Sequence, residues 1–497
     1  MFNRHLFDKN PALFFGISFY LGITFGIYRE YLLLLPFLLL LRNKRKIIGL
    51  LWGIAGVIFS LTYYHYSEIS PQGISGIATV NLESVHFQKS RFGRFYYYKG
   101  ILSDFETQDP SITPPKNVPV SFKIRDKKSQ RPVANGTYRL YCKLMPSPGQ
   151  RYQLKVLDST WEKVPYSFSL GELRFKAKKA FNHFLNNRFE NSHVKNFLAG
   201  LLIGEYSDKK LQKAFSQFGL LHLLAISGFH FSFMAMIFRF ILRPFWAPMK
   251  SAILICLILT SYFLLLGNNP SVLRAWIAVI VSYSSLIAKR PVSSLNALGI
   301  GLMIVLIIKP SFCTHLGFQF SFLVTAAILL LFPYIDSWIE RLFPKRTAQE
   351  IESLGFFDKH LLLILGFFKP VISLNLVTTI ASLPLSLFYF KSFPLPSLIY
   401  NLYMPFFVMF SLTFLILGIF FSPIAPLSAL IHSINEKFTL FFLNMTFDTP
   451  KNLNFSLSFE QTNCYLLIIY YSLLMGIAIY LNNKNNKPII HKNMYFE

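Results

Sequence analysis

The stretch "LLHLLAISGFHFSF", residues 220–233, is apolar enough for a membrane interior, yet it holds His222, Ser227, Gly228 and His230. Wound as one helix at ~100° per residue, His222, Ser227 and His230 fall within an arc of about 140°. That arc also carries Ile226, Phe233 and Met234, while Leu224, Ala225, Phe229 and Phe231 take the other side. A one-sided polar set can face a water-filled path. Ser227-Gly228 can also break the helix, and non-helical backbone at membrane depth is tolerated only where protein or a wet cavity satisfies it. The plainer reading is that each polar group bonds a neighbouring helix as packing glue.

The surroundings make this a membrane protein. The chain has 497 residues, of which 53% are hydrophobic and 14% charged, against about 25% charged in soluble domains. Apolar runs near the ~20 residues that span hydrocarbon recur at 12–28, 47–64, 251–267, 271–288, 293–308, 316–335, 356–369, 371–390, 395–421, 425–445 and 464–481. A shorter run at 31–41 suggests half of a re-entrant hairpin, and no small-residue cleavage site follows the first run, which is expected to be retained. The formal charge is +26. Basic cytoplasmic loops and a lysine-rich composition can supply part of it. Its distribution says more: from Lys209 to Ile335 there is no Asp or Glu, while Arg239, Arg243, Lys250, Arg274, Lys289, Arg290 and Lys309 lie there. Cation pathways place carboxylates at the midplane, so a charged ligand of this core is expected to be an anion. "RNKRK" (42–46) reads as cytoplasmic, which puts residues 65–190 on the outer face.

Between the first membrane segments (1–64) and the central ones, residues 65–165 change character. Val118, Val120, Phe122 and Ile124 alternate with Ser121, Lys123 and Arg125, and Tyr138 to Leu144 alternate after the turn Asn135-Gly136. Strands are expected near 74–87, 94–104, 118–125, 137–145 and 152–161. Five short strands suit a small barrel such as an OB-fold, and a sandwich fits the same pattern. Residues 65–195 hold 21 Lys and Arg against 10 Asp and Glu. In "KSRFGRFYYYKG" (89–100), Arg91, Arg94 and Lys99 interleave with Phe92, Phe95 and Tyr97, a mixture suited to single-strand binding. The competing reading is a hairpin whose rings fill a core, since Tyr96 and Tyr98 share a face. Only Cys142 of the four cysteines lies in this region, so no disulfide forms within it. Residues 166–216 pattern as amphipathic helices suited to a membrane surface, with Ser207-Asp208 as a capping signal. The segment 217–482 is the expected membrane domain and 483–497 a polar tail.

Catalysis finds little support. "AISG" loosely resembles the serine site of rhomboid proteases, but that serine needs a histidine base, and His315 by Lys309-Pro310 is the only other histidine near the central helices. No carboxylate or cysteine is spaced to join His222 and His230 around a metal. Neither an enzyme nor a cofactor is expected.

The stretch "LLIGEYSDKKLQKAFSQFGLLHLLAISGFH" (201–230) closely resembles the hallmark of ComEC-type competence proteins, the inner-membrane channels for transforming DNA. Gly219, His222, Leu223, Leu224, Ala225, Ser227, Gly228 and His230 match its core. "PSVLRAW" (270–276) with Arg274, "LGFQFSFLVT" (316–325) with Gln319 and Ser321, "ASLPLSLFYF" (381–390) and "NLYMP" (401–405) with Asn401 resemble later elements in the family's order. The resemblance implies a polytopic α-helical membrane protein with an inserted extracytoplasmic OB-like barrel. It implies single-stranded DNA as cargo crossing the cytoplasmic membrane, with His222, Ser227, Gly228, His230, Arg274, Gln319, Ser321 and Asn401 lining or shaping the conduit. Arg274 alternatively snorkels to the outer interface. With no Gly-Lys dipeptide there is no P-loop, so an external DNA receptor and a cytoplasmic ATPase or helicase are expected partners besides DNA and the bilayer. Many relatives continue into a metallo-β-lactamase-like domain; this sequence has no His-x-His pair, and degradation of the second strand is expected to fall to another protein. A transporter or lipid-handling protein for a smaller anion is the competing function.

Overall fold

The computed structural model describes residues 5–40, 45–63, 69–90, 93–107, 113–125, 131–147, 151–206, 208–289, 293–343, 354–447, 455–459 and 463–484. Helix α1 (Pro11–Tyr28), the short α2 (Leu34–Leu40) and α3 (Lys46–Tyr63) open the chain. α3 buries only Gly49, Gly53, Gly56 and Ser60. Their four-three-four spacing is one helical face, and a side chain at Gly22 or Gly56 would strike the backbone of the facing helix. Small residues let helices approach where lipid supplies no hydrophobic drive. The rest of α3 exposes Ile47, Leu51, Ile54 and Ile58, as a surface wetted by hydrocarbon requires.

Five strands follow: β1 (Ile74–Ser90), β2 (Gly93–Thr107), β3 (Val118–Arg125), β4 (Thr137–Ser147) and β5 (Arg151–Lys163). They close into a barrel in the order β1-β2-β3-β5-β4, with β3 and β5 parallel. Closure excludes the sandwich and gives the OB-like arrangement. Period-2 alternation sends Val118, Val120, Phe122, Leu140, Cys142 and Leu144 inward. Tyr98 goes with them: its ring stacks on Phe122 at 5.0 Å, and its hydroxyl donates to the Pro132 carbonyl at 2.8 Å. The Cys142 thiol is pushed up to about 12 by burial, which leaves it inert.

Helix α4 (Gly171–Arg188) packs against β1, with Phe175 beside the barrel core. Arg131 grips Glu172 with both Nη groups, at 2.7 and 3.1 Å, and the Ala134 amide donates to the same carboxylate. The guanidinium lies over the Tyr96 and Phe175 rings, 4.8 and 5.1 Å from their centroids. The barrel also docks on the membrane domain. Lys309 pairs with Glu83, Arg174 donates to the Leu264 carbonyl at 2.7 Å, and His86 lies 3.7 Å from Glu205.

Helix α5 (Ser192–Ile203) buries Val194, Phe197, Leu198, Leu201 and Ile203, while α6 (Lys209–Gln217) buries only Leu211, Ala214 and Phe215. Asp208 caps α6 by accepting from the Lys210 and Leu211 amides; Ser207 lies outside the described residues.

The membrane domain comprises α7 (Gly228–Leu242), α8 (Pro248–Leu266), α9 (Pro270–Ile287), α10 (Ser294–Ile308), α11 (Leu316–Leu342), α12 (Phe356–Phe390), α13 (Ser397–Phe420), α14 (Ala425–Phe447) and α15 (Cys464–Lys484). Among the described residues, eight helices are long and apolar enough to cross a membrane. One sequence expectation needs correction: the runs 356–369 and 371–390 are one 35-residue helix that keeps Pro370 and Pro384 inside it. Of the two readings of residues 220–233, the structure has the break: a single turn, Leu221–Leu224, is separated from α7 by extended backbone at Ala225 and Ser227.

Candidate functional site

The break in the opening stretch is built by capping. At the end of α6, Gly219 takes a left-handed φ of +67. The Leu220 amide reaches the Phe215 carbonyl at 2.7 Å and the Gly219 amide reaches Ser216 at 3.1 Å, the double closure of a Schellman motif. A Cβ at Gly219 would lie 2.8 Å from that of Ser397, and Phe218 stacks on Tyr400 at 4.5 Å. The turn is therefore pinned to the start of α13. His222 folds back, its Nδ1 donating to the Gly219 carbonyl at 3.0 Å, and the residue remains exposed.

Ser227 is extended, at φ −128 and ψ 177, and forms the N-cap of α7. Its amide donates to His230 Nδ1 at 3.4 Å, and its hydroxyl lies 3.2 Å from the same nitrogen. An imidazole that accepts at Nδ1 carries its proton on Nε2 when neutral. His230 is 1% exposed, and its Nε2 has no hydrogen-bond partner among the described residues.

Arg274 reaches this turn from α9. Its Nε donates to Ser321 Oγ of α11 at 2.6 Å, and its charge lies 5.9 Å from the Phe322 centroid. A Cβ at Gly228 would sit 2.9 Å from Arg274 Nη2, so only glycine leaves the guanidinium this close to the start of α7. Arg274 joins no ion pair among the described residues. It stands four residues into α9, about 6 Å from that helix's start. The neighbouring ends of α8 and α10 are where Arg174 and Lys309 tie the barrel down.

Ser227, Gly228, His230, Arg274 and Ser321 thus gather around one helix start. Gln319 turns elsewhere, donating to the Cys313 carbonyl at 3.0 Å and accepting from the Tyr389 hydroxyl at 2.8 Å. Asn401 lies on α13 one turn from Ser397, with a buried Oδ1 that has no hydrogen-bond partner among the described residues.

On the barrel, Arg91 and Phe92 lie outside the described residues. Of the remaining candidates on β2, Phe95 and Tyr97 are half-buried and Arg94 and Lys99 are exposed, while Tyr98 is interior as the competing reading has it. Strand pairing adds two cations that reading "KSRFGRFYYYKG" alone missed. Phe95 faces Arg125 and Tyr97 faces Lys123 across the β2–β3 ladder. The Lys123 ammonium lies 5.9 Å from the Phe95 centroid, and Tyr97 bonds Ser121 at 3.1 Å. The period-2 signal over 118–125 already placed Lys123 and Arg125 on the outward side; only the partner strand was unknown.

The sequence profile of the family described as Competence protein matches residues 201–484. The chain belongs to the Competence protein family. It is 29% identical over 208 residues to ComE operon protein 3 of Bacillus subtilis (strain 168), which covers 41% of this chain and 23% of that protein. It is 26% identical over 185 residues to the uncharacterized protein MG316 homolog of Mycoplasma pneumoniae, covering 37% of this chain and 43% of that one. The chain thus spans less than half the length of these relatives. No solved structure matches it. The Competence match contains the entire Arg274 cluster and begins after the barrel and α4.

Proposed function

We propose that this Competence-family protein conducts single-stranded DNA across the cytoplasmic membrane during natural transformation, as a passive conduit without catalysis of its own. A bare phosphate in hydrocarbon costs tens of kcal/mol on the Born scale, so a strand needs donors and positive charge along a wetted path. The observation that carries the reading is Arg274, a cation with no carboxylate partner among the described residues, held at a helix break about 6 Å inside the end where the basic barrel docks. Ionisable residues within membrane segments mark ion or substrate pathways.

In this reading the barrel lies on the outer face and captures the strand through Lys99, Lys123, Arg125 and the rings of Phe95 and Tyr97. His222, exposed in the turn before α7, joins Arg274 along the path. Movement is driven by partners, a receptor outside and an ATPase or helicase within, because the membrane potential opposes anion entry. The test is arrival of labelled DNA in the cytoplasm of the native cell. Arg274→Ala is expected to lower arrival at least 100-fold while surface-bound DNA stays constant. Undiminished arrival would overturn the conduit, and uptake of a small anion in its place would favour the transporter reading.

A further inference from the structure

We propose that the cleft between α4 and α5 holds one unstacked base of the strand, an amino-bearing base (adenine, cytosine or guanine), through Glu205, Asn182 and Asn196. The inference rests on the conduit reading and adds to it a site that takes bases rather than phosphates. The cleft has a volume of about 270 Å³, just below the ~300–1,000 Å³ of drug-sized sites, which is room for a single base with its sugar. Asn182 and Asn186 of α4 and Ser192, Lys195 and Asn196 of α5 line it together with Glu205, and Leu185 and Ala199 supply an apolar patch. Glu205 lies 3.7 Å from His86 of β1, so the cleft belongs to the joint where the barrel docks.

Hydrogen bonds within the fold decide what the cleft has left to offer. Asn182 Nδ2 donates to the Glu205 carboxylate at 2.8 Å, and Asn196 Nδ2 donates to the Ser192 carbonyl at 2.8 Å. A carboxylate and a carbonyl only accept, so each carboxamide must turn its amino group that way and keep its oxygen for a ligand. Burial opposes the ionisation of Glu205, but His86, the Lys178 ammonium and Asn182 outweigh it and keep the group a carboxylate below its ordinary 4.5. It lines the cleft as a third acceptor. The group that fits is therefore rich in donors, with a flat apolar face for Leu185 and Ala199. Adenine N6, cytosine N4 and guanine N2 are such donors, whereas thymine would bring its own oxygen against these three. Glu205 repels a phosphate, and Lys195 in the same lining serves the phosphodiester beside the bound base. Bases of a single strand can splay out to be read in this way.

The full chain is held in lauryldimethylamine oxide, which carries neither sugar nor phosphate, and oligo-dC and oligo-dT of equal length compete with a fluorescent oligo-dT. Their phosphates are alike, so contacts to the cations of the barrel cancel. The wild type is expected to bind oligo-dC about tenfold tighter, equivalent to ~1.4 kcal/mol. Glu205→Gln turns an accepting oxygen into a donor and should bring the two affinities together. Asn196→Ala removes one oxygen and should reduce the preference to about threefold; it decides the matter should Glu205→Gln fail to fold. Lys116→Gln, in an exposed ion pair with Asp104 on the barrel, should keep the wild-type ratio. Equal affinities in the wild type, or an unchanged preference in the folded variants, overturns the site. Free deoxycytidine that binds as tightly as oligo-dC overturns its assignment to the strand. A base preference in a protein that delivers no DNA to the cytoplasm would leave the site and remove the conduit; delivery without that preference would do the reverse.

Discussion

Glu172 shows how much one side chain decides at the joint between barrel and membrane domain. Burial opposes its ionisation, but hydrogen bonds and charge from Arg131, with the Ala134 amide, outweigh that and hold the carboxyl below its ordinary 4.5. The folded state therefore stabilises the ionised form. Its contribution is complete above the unfolded value and drains away as pH falls through the folded one. Glu172→Gln removes the charge and one of the two acceptor oxygens and leaves Arg131 between two rings without its counter-ion, a loss of roughly 3 kcal/mol for a largely buried pair. Unfolding of the barrel measured from pH 7 down to pH 3 should show wild-type stability falling below pH 4.5, whereas Glu172→Gln starts lower and falls less steeply. A variant with the wild-type slope would mean another carboxylate sets the acid limb. None of this was readable from the sequence, because Arg131 and Glu172 stand forty-one positions apart and meet only once the barrel has closed.

At the scale of elements, the legible features were those written in local periodicity. The β1 to β5 strands were expected within a few residues of where they lie, since alternation and the Asn135-Gly136 turn are properties of neighbours in sequence. What escaped was what distant partners decide. Pro370 looks like a helix end, yet α12 runs through it as it does through Pro384. A proline removes the amide that would bond the carbonyl four residues earlier, and for Pro384 that carbonyl belongs to Ile380. The Tyr470 hydroxyl of α15 donates to Ile380 at 2.9 Å, and Tyr471 donates to Ala381 at 2.8 Å. In α11, Asn482 donates to the Leu330 carbonyl, next to the Leu329 carbonyl that Pro333 leaves without its amide. Satisfaction by a neighbouring helix is what lets proline stay in a membrane helix. Tyr470→Phe should then cost about 1 kcal/mol, and little or nothing once Pro384→Ala has returned an amide to Ile380. Denaturation of the four members of that double-mutant cycle gives the coupling directly. Equal losses in both backgrounds would show the tyrosine acting by packing alone. The candidate site divides in the same way: Ser227-Gly228 could be read as a helix break, but its approach by Arg274 and Ser321 required the packing of α9 and α11 against α7.

Across the whole molecule, two positively biased regions are stacked: a barrel whose β2–β3 face carries Lys99, Lys123 and Arg125, and a membrane core free of acid from Lys209 to Ile335. Each would serve a polyanion in a different way. The exposed barrel face works in water, where released counterions supply the affinity and the observed constant falls with salt at ~0.7 per phosphate contacted on a single strand. Arg274, half-buried and held by Ser321, works through fixed geometry. Binding of a fluorescent oligo-dT to the full chain in detergent should therefore be steeply salt-dependent, and Lys123→Gln with Arg125→Gln should flatten the log–log slope by about 1.4. Arg274→Gln should leave that slope nearly unchanged while removing delivery to the cytoplasm. An unaltered slope in the barrel double variant would return Phe95, Tyr97 and their basic neighbours to the status of a solvated sheet face. A slope that followed Arg274 instead would place first capture at the helix break, with the barrel acting only as its cover.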